Sequence, residues 1–330
     1  MSQRIPLCVR GTGSFVPARV LTNDHFIRYL DTSEEWILAR TGIRERRWVG
    51  AEECTSTMAI EAGRRALEDA RMRASEIDLI ICATATPDHM FPPTAAYIQD
   101  GLGMREIPAF DLEAACSGFI YAMMAAAAFV SAGLYRNILI FGAETLSRVG
   151  DPQDRGTCIL FGDAAGAAIL GPAINSEQGI LHWELGCDGS RADYIVMPSG
   201  GMRRPASEET VRQREHYLRM RGREVFKFAV GKMEELIDRA LAELGMAPDE
   251  LALVIPHQSN LRIIQSARER LGLPPEKVAV NIDRYGNTSA ASVILALDEG
   301  RRNGTLKPGD TVLVLGVGAG LTWGLFALRL

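Results

Sequence analysis

Cys116 lies in the run Ala114-Ala115-Cys116-Ser117-Gly118-Phe119, directly before an apolar stretch over residues 120–130. Residues 107–111 ahead of it have strand character. The spacing therefore predicts strand, tight turn, and a buried helix opening at the cysteine. A helix N-terminus carries about half a positive charge and unpaired N–H groups. Both favour thiolate over thiol, and thiolate is the nucleophile. The same pattern also suits a small core cysteine packed among alanines, since buried cysteine is common.

The elements that must position this residue alternate along the chain. Buried strands are expected at 79–83, 138–141, 253–255, 278–281 and 312–315, with helices at 57–71, 225–244 and 261–271 between them. Such alternation indicates an α/β protein. The order also repeats. A helical stretch ending in Ala66-Leu67-Glu68-Asp69-Ala70 leads to a strand at 77–81, and Ala240-Leu241-Ala242-Glu243-Leu244 leads to one at 251–255. Each half continues with a proline-marked loop (Pro87, Pro256), a helix closed at Leu102-Gly103 or Leu271-Gly272, a second strand (108–112, 278–282) and a turn into a small-residue helix. Each closes on a strand and glycine (138–142, 312–316). Cys116 and Asn287 occupy the same station in the two halves, and His257 lies in the loop after the first strand of the second. Pseudo-twofold halves would bring both strand ends to one central site.

The chain has 330 residues, 47% of them hydrophobic and 23% charged, with a net charge of −5. That length supports two packed lobes or one large α/β domain. The charge balance gives no reason to expect nucleic acid as a partner. Six cysteines (Cys8, Cys54, Cys82, Cys116, Cys158, Cys187) form no C-x-x-C pair and no zinc-type cluster, so no metal site is expected. Their scatter suits a reducing, cytoplasmic compartment. The N-terminus lacks a signal-type apolar region. The most apolar stretch, residues 119–130, is shorter than the roughly 20 residues of a membrane span.

Six motifs, in order, carry a resemblance that covers nearly the whole chain. They are Asp31-Thr32-Ser33-Glu34-Glu35-Trp36-Ile37 with Arg40-Thr41-Gly42-Ile43; the Cys116 run; Asp154-Arg155-Gly156 with Phe161-Gly162-Asp163; Pro256-His257-Gln258-Ser259-Asn260; Gly286-Asn287-Thr288-Ser289-Ala290; and Gly318-Ala319-Gly320-Leu321-Thr322-Trp323-Gly324. The chain resembles thiolase-superfamily condensing enzymes, and most closely the β-ketoacyl-acyl-carrier-protein synthase III family. The resemblance implies a duplicated, five-layered αβαβα thiolase-like fold. Its halves would be residues 1–172, carrying the cysteine, and 173–330, carrying the His/Asn pair. It further implies a homodimer.

The implied reaction is a decarboxylating Claisen condensation. Cys116 would take an acyl group, expected to be acetyl, from coenzyme A as a thioester. Backbone N–H groups of Cys116 and Ala319 would form the oxyanion hole. His257 and Asn287 would donate to the enolate left when malonyl-acyl carrier protein loses carbon dioxide. No cofactor is implied, because the leaving carboxylate supplies the carbanion and the coenzyme A thioester is a substrate. Thr32, Trp36, Arg40 and Arg155 match coenzyme A contacts, with adenine held between the Trp36 indole and the Arg155 guanidinium. Phe91 matches a residue that closes the acyl pocket across the dimer, where a bulky ring favours a short primer. Arg262, Lys227 and Asn260 are the candidates for docking the acidic carrier protein. Asp163 reads as a turn-fixing residue rather than a base, and His25, His89, His182 and His216 as surface or structural. Three positions depart from the family pattern: Arg223, where Asn is frequent, Ala319 for Gly, and Ser259 for Ala.

Other readings use some of the same residues. A ketosynthase of secondary metabolism would keep Cys, His and Asn and change primer or acceptor. A papain-type protease also places Cys, His and Asn in this chain order, but not within duplicated α/β halves. A binding paralogue would be expected to have lost one of the three.

Overall fold

In the computed structural model, which describes residues 4–330, two mixed sheets reproduce one strand pattern. The first contains β1 (Cys8–Phe15), β2 (Leu79–Ala83), β3 (Ala109–Leu112), β4 (Ile138–Thr145) and β5 (Asp163–Gly171), in the spatial order β1-β5-β4-β2-β3. The second contains β6 (Gly179–Cys187), β7 (Leu253–Pro256), β8 (Thr311–Gly318) and β9 (Thr322–Arg329), in the order β7-β8-β9-β6. β2 runs parallel to β4, as β7 does to β8. β4 and β5 are antiparallel, as are β8 and β9, and the outer strands β1 and β6 complete each sheet antiparallel.

The correspondence stops at β3. The strand expected at 278–282 is absent, and only Val278 bridges to Val254. The cause is local. A 3₁₀ turn over Pro275–Lys277 leads straight into the pairing residue. Ala279 N–H still reaches Val254 O at 2.9 Å, but further on Asn281 N–H and Ile282 N–H bond to Gln258 Oε1 at 3.0 and 3.3 Å instead of to a strand.

Every position of β2, β4, β5 and β8 is buried. Their near-continuous apolar sequences follow from having both faces covered by helices. α1 (Glu34–Thr41) buries Ile37 and Thr41 and accepts Asn260 Nδ2–H at Arg40 O. α2 (Thr55–Ala70) and α3 (Thr94–Gly101) pack on the outer face of the first sheet. α4 (Gly118–Ser131) and α7 (Ala291–Arg302) fill the space between the sheets. α5 (Gly222–Leu244) and α6 (Leu261–Leu271) cover the second sheet from outside. The result is the expected five-layered αβαβα arrangement. α4 is apolar on nearly all sides because both sheets press on it, as a central helix requires. Gly166 in β5 gives α7 its seat, since a Cβ there would come within 2.3 Å of Ile294 Cγ2.

Candidate active site

The helix after the cysteine begins at Gly118, and Cys116 lies one turn earlier on a 3₁₀ segment, Ala115–Ser117. Ala115 enters that turn with φ +46°, in the left-handed region. The turn is fastened to the β8–β9 connection. Ser117 Oγ and Thr322 Oγ1 are 2.6 Å apart, and Thr322 Oγ1 donates to Ala114 O at 3.0 Å. Gly318 permits this approach, because a Cβ there would meet Cys116 N at 2.8 Å and Ala114 O at 3.0 Å. Ala319, the next residue, thereby faces the same cavity as Cys116.

That cavity has a volume of about 280 Å³, and Cys116, His257, Asn287, Ser289 and Ala319 all line it. The three residues singled out from sequence therefore converge. They arrive from a turn before α4, the end of β7 and the loop before α7.

The resting thiol differs from the expectation. Burial pushes the Cys116 thiol up to about 12, against opposing hydrogen bonds from the Ser289 hydroxyl and its own N–H. In this enclosed pocket the desolvation cost of a thiolate exceeds what one helix terminus returns.

His257 extends β7, donating its backbone N–H to Leu315 O at 2.8 Å. Burial drives its imidazole down to about 3, so the ring is neutral at physiological pH. Its Nδ1 lies 2.7 Å from Ser292 Oγ, and that oxygen also accepts Gln258 N–H at 3.4 Å. Ser292 thus engages Nδ1, and where its hydroxyl donates there the ring hydrogen lies on Nε2. Asn287 is oriented in a similar way. Its Oδ1 accepts Ser289 N–H at 2.9 Å, so its amide NH₂ is the group left for the cavity. Its backbone is pinned on both sides, by Asn287 N–H to Leu160 O at 2.8 Å and Gly162 N–H to Asn287 O at 3.0 Å. The site thus presents a neutral imidazole and an amide NH₂ beside a sulfur.

Asp163 holds loops together. Its carboxylate accepts Ser147 N–H, Ser147 Oγ–H and Val49 N–H, in keeping with a turn-fixing role.

Trp36, Arg40 and Arg155 meet at one indole. The Arg155 guanidinium lies 4.9 Å from the ring centre and that of Arg40 5.6 Å. Arg155 also donates to Asp31 O. Arg155 thus covers the ring face expected to take adenine, and a base would enter only as this guanidinium moves aside. Thr32 Oγ1, nearby in sequence, is buried without a partner among the described residues. Asn260 connects this cluster to the cavity, which it lines, by donating Nδ2–H to Arg40 O at 2.9 Å. Its Oδ1 caps α6 by accepting Arg262 N–H at 2.9 Å, so both ends of its side chain are engaged inside the protein. Arg262 lies over the ring of Phe226, a cavity-wall residue, and Lys227 is exposed beside it on α5. Phe91 is 82% exposed and does not line the cavity of its own chain.

Sequence reasoning passed over Glu144, Ser289, Ser292 and Arg46. Glu144 had a visible signal, being the single charged residue in an otherwise apolar strand. Arg46 is fully buried, donates to Asn23 Oδ1 and Ile159 O, and supports the loop that pins Asn287.

The layered, duplicated architecture around a Cys-His-Asn cavity is that of the thiolase-fold condensing enzymes. Residues 110–189 match the family described as 3-oxoacyl-[acyl-carrier-protein (ACP)] synthase III, and residues 241–330 match its C-terminal region. The chain is 50% identical over 323 residues to the β-ketoacyl-[acyl-carrier-protein] synthase III of Caldanaerobacter subterraneus subsp. tengcongensis, covering 98% of this chain and 97% of that one. It superposes on the crystal structure of 3-oxoacyl-[acyl-carrier-protein] synthase III from Aquifex aeolicus VF5 with TM-score 0.90 at 44% identity, covering 98% and 100% of the two chains. The priming β-ketosynthase of the R1128 polyketide pathway also matches, with TM-score 0.90 at 37% identity over 100% and 98%. The chain belongs to the β-ketoacyl-acyl-carrier-protein synthase III family, as the motifs implied, and it is an acyltransferase-type condensing enzyme. Membership sets aside the protease reading. Among the described residues no helix is long and apolar enough to cross a membrane.

Proposed function

We propose that the protein condenses a short acyl-CoA primer, acetyl-CoA first among them, with malonyl-acyl carrier protein and so initiates fatty-acid synthesis. The observation that carries this reading is the convergence of Cys116, His257 and Asn287 on one cavity, with His257 neutral and both polar side chains held by hydrogen bonds. Cys116 takes the acyl group, with its own N–H and that of Ala319 receiving the oxyanion. His257 Nε2–H and the Asn287 amide then stabilise the enolate formed on decarboxylation. The coenzyme A thioester is a substrate, and the reaction calls for no cofactor.

Trp36, Arg40, Arg155 and Thr32 form the coenzyme A mouth in this reading, and Arg262 and Lys227 flank the rim as the carrier-protein dock. Asn260 shapes that rim through its two internal hydrogen bonds. The halves 1–172 and 173–330 act as the two contributors to the site. β3 is the open edge of the first sheet, with Phe110, Phe91, Met90 and Tyr97 exposed on it or beside it. Such an edge is a pairing surface. It supports a homodimer in which Phe91 reaches the partner's acyl pocket. All six cysteines are free, the state a cytoplasmic location maintains.

The similarity to a polyketide priming ketosynthase favours a second reading, the same chemistry with a specialised primer. Intact-mass measurement after mixing with acetyl-CoA or longer acyl-CoAs, followed by malonyl-acyl carrier protein, separates the two. An acetyl adduct mapped to Cys116 that is converted to product supports the first. Adducts only from longer or aromatic donors support the second, and no adduct from any donor removes both.

A further inference from the structure

The Cys116 thiol must lose its proton as it attacks, and His257 is poorly suited to take it. The imidazole is buried with no ionised partner acting on it, so accepting a proton would create a buried, unpaired cation. The sulfur has another polar neighbour. Ser289 lines the same cavity as Cys116 and its hydroxyl acts on that sulfur; its one hydrogen is donated to Glu144 Oε1 at 3.0 Å, so its oxygen is left to accept from the thiol. Ser289 holds this position with φ +48°, a conformation unusual for a residue with a side chain. Such strained positions concentrate at functional sites.

Glu144 itself is completely buried at the end of β4. It has no cationic partner among the groups that act on it. It is held instead by Ala85 N–H at 3.1–3.2 Å to its two oxygens, by Thr86 Oγ1–H at 2.7 Å and by Ser289. A carboxylate enclosed without an ion pair is costly. All of these contacts are donated to the carboxylate, so Gln at this position keeps the shape but gives up the acceptor on one side.

Resting on the assignment of Cys116 as nucleophile, we propose that Glu144 is the general base of the acyl-transfer step, acting on the Cys116 thiol through the hydroxyl of Ser289. As the sulfur bonds to the thioester carbonyl carbon, the S–H proton passes to Ser289 Oγ and the Ser289 proton passes to Glu144. Collapse of the tetrahedral adduct breaks the bond to the coenzyme A sulfur. The proton then returns from Glu144 through Ser289 to that sulfur. One thioester replaces another, and no proton or electron pair is gained or lost.

Burial raises the Glu144 carboxyl to about 7, the range in which a general base works at neutral pH. The titratable groups facing this chain are Cys116 and Cys82, both pushed upward by burial, with the neutral His257 and Glu113 on the cavity wall. Glu113 is exposed and accepts Ala115 N–H at 2.9 Å, which makes it the competing base.

The test is single-turnover acylation by acetyl-CoA, followed by intact mass across pH 5–9 (roughly two units either side of the expected base), for wild type, Glu144→Gln, Ser289→Ala and Glu113→Gln. Wild-type acylation should rise with pH and level off once Glu144 is ionised. Glu144→Gln and Ser289→Ala should each slow acylation by about 10²-fold at neutral pH. Both should recover steadily toward high pH, where hydroxide replaces the relay. Glu144→Gln keeps the buried shape, and Ser289→Ala decides the matter alone if that variant does not fold. Unchanged rates and profiles in the folded variants, or a loss confined to Glu113→Gln, would overturn the relay. Failure of the wild type to form any Cys116 adduct would instead overturn the functional reading beneath it.

Discussion

His257 Nδ1 and Ser292 Oγ are 2.7 Å apart, and this contact engages one of the two ring nitrogens. Ser292 is the second residue of α7, so the helix that fills the space between the sheets also orients the His257 ring. Ser292→Ala leaves Nδ1 without its hydrogen-bond partner and frees the ring to turn. Release of carbon dioxide from malonyl thioester should fall by about 10-fold, equivalent to 1.4 kcal/mol, while acylation of Cys116 is retained. Equal loss in both half-reactions would mean that Ser292 supports the site only structurally.

The two half-reactions also separate the principal residues. Cys116→Ser should abolish the acyl-enzyme seen by intact mass. His257→Ala removes a donor to the enolate and should slow decarboxylation by about 10²- to 10³-fold, as for loss of an oxyanion-hole donor, with a smaller effect on acyl transfer. Rapid-quench assays with acetyl-CoA and with malonyl-acyl carrier protein measure each step. Full condensation activity in Cys116→Ser would sink the nucleophile assignment.

Much of this arrangement was legible in the chain because it rests on local pattern. The continuous apolar runs marked β2, β4, β7 and β8, and the repeated order of strand, loop, helix and turn foretold two sheets of one topology. What escaped notice depends on contacts distant in sequence. Gln258 takes the backbone donors that would have continued a strand beyond Val278, a contact spanning more than 20 residues. The thiol at the helix entrance was expected to ionise readily, but the charge-opposing effect of its enclosure is a property of the closed cavity. Ser289 reaches Glu144 across 145 positions of sequence. Only the carboxylate in an apolar strand pointed to that pairing, and nothing local named its partner. Trp36, Arg40 and Arg155, grouped from sequence, do lie together at one indole, while the place of Arg155 over that ring is a matter of side-chain conformation.

Gly318 should be intolerant of any side chain. Its absent Cβ faces backbone atoms, Cys116 N at 2.8 Å and Ala114 O at 3.0 Å, which cannot rotate away. Gly318→Ala should therefore push the Ala319 turn off the Cys116 turn. A destabilisation of about 1–3 kcal/mol is expected from such overpacking, read by urea denaturation, together with a larger fractional loss of acylation than of fold. Wild-type acylation in this variant would show that the oxyanion site does not depend on the close approach of the two turns.

The buried pair His257 and Glu144 should give the protein an unusual stability profile. The folded His257 titrates at about 3, below its unfolded value of 6.5, so the unfolded chain binds more protons between those values. Its contribution is intact above pH 6.5 and is lost as pH falls toward 3. Glu144 runs the other way. Its folded value of about 7 lies above its unfolded value of 4.5, so its contribution is full below pH 4.5 and is lost as pH rises to 7. Each slope is about 1.4 kcal/mol per pH unit, and between pH 4.5 and 6.5 the two oppose each other. Glu144→Gln removes one slope and exposes the other. Denaturant titrations at the two ends of that window should show the variant gaining about 3 kcal/mol relative to wild type as pH rises. A difference that does not vary with pH would mean that Glu144 stays ionised within the closed site, and that burial does not hold its proton.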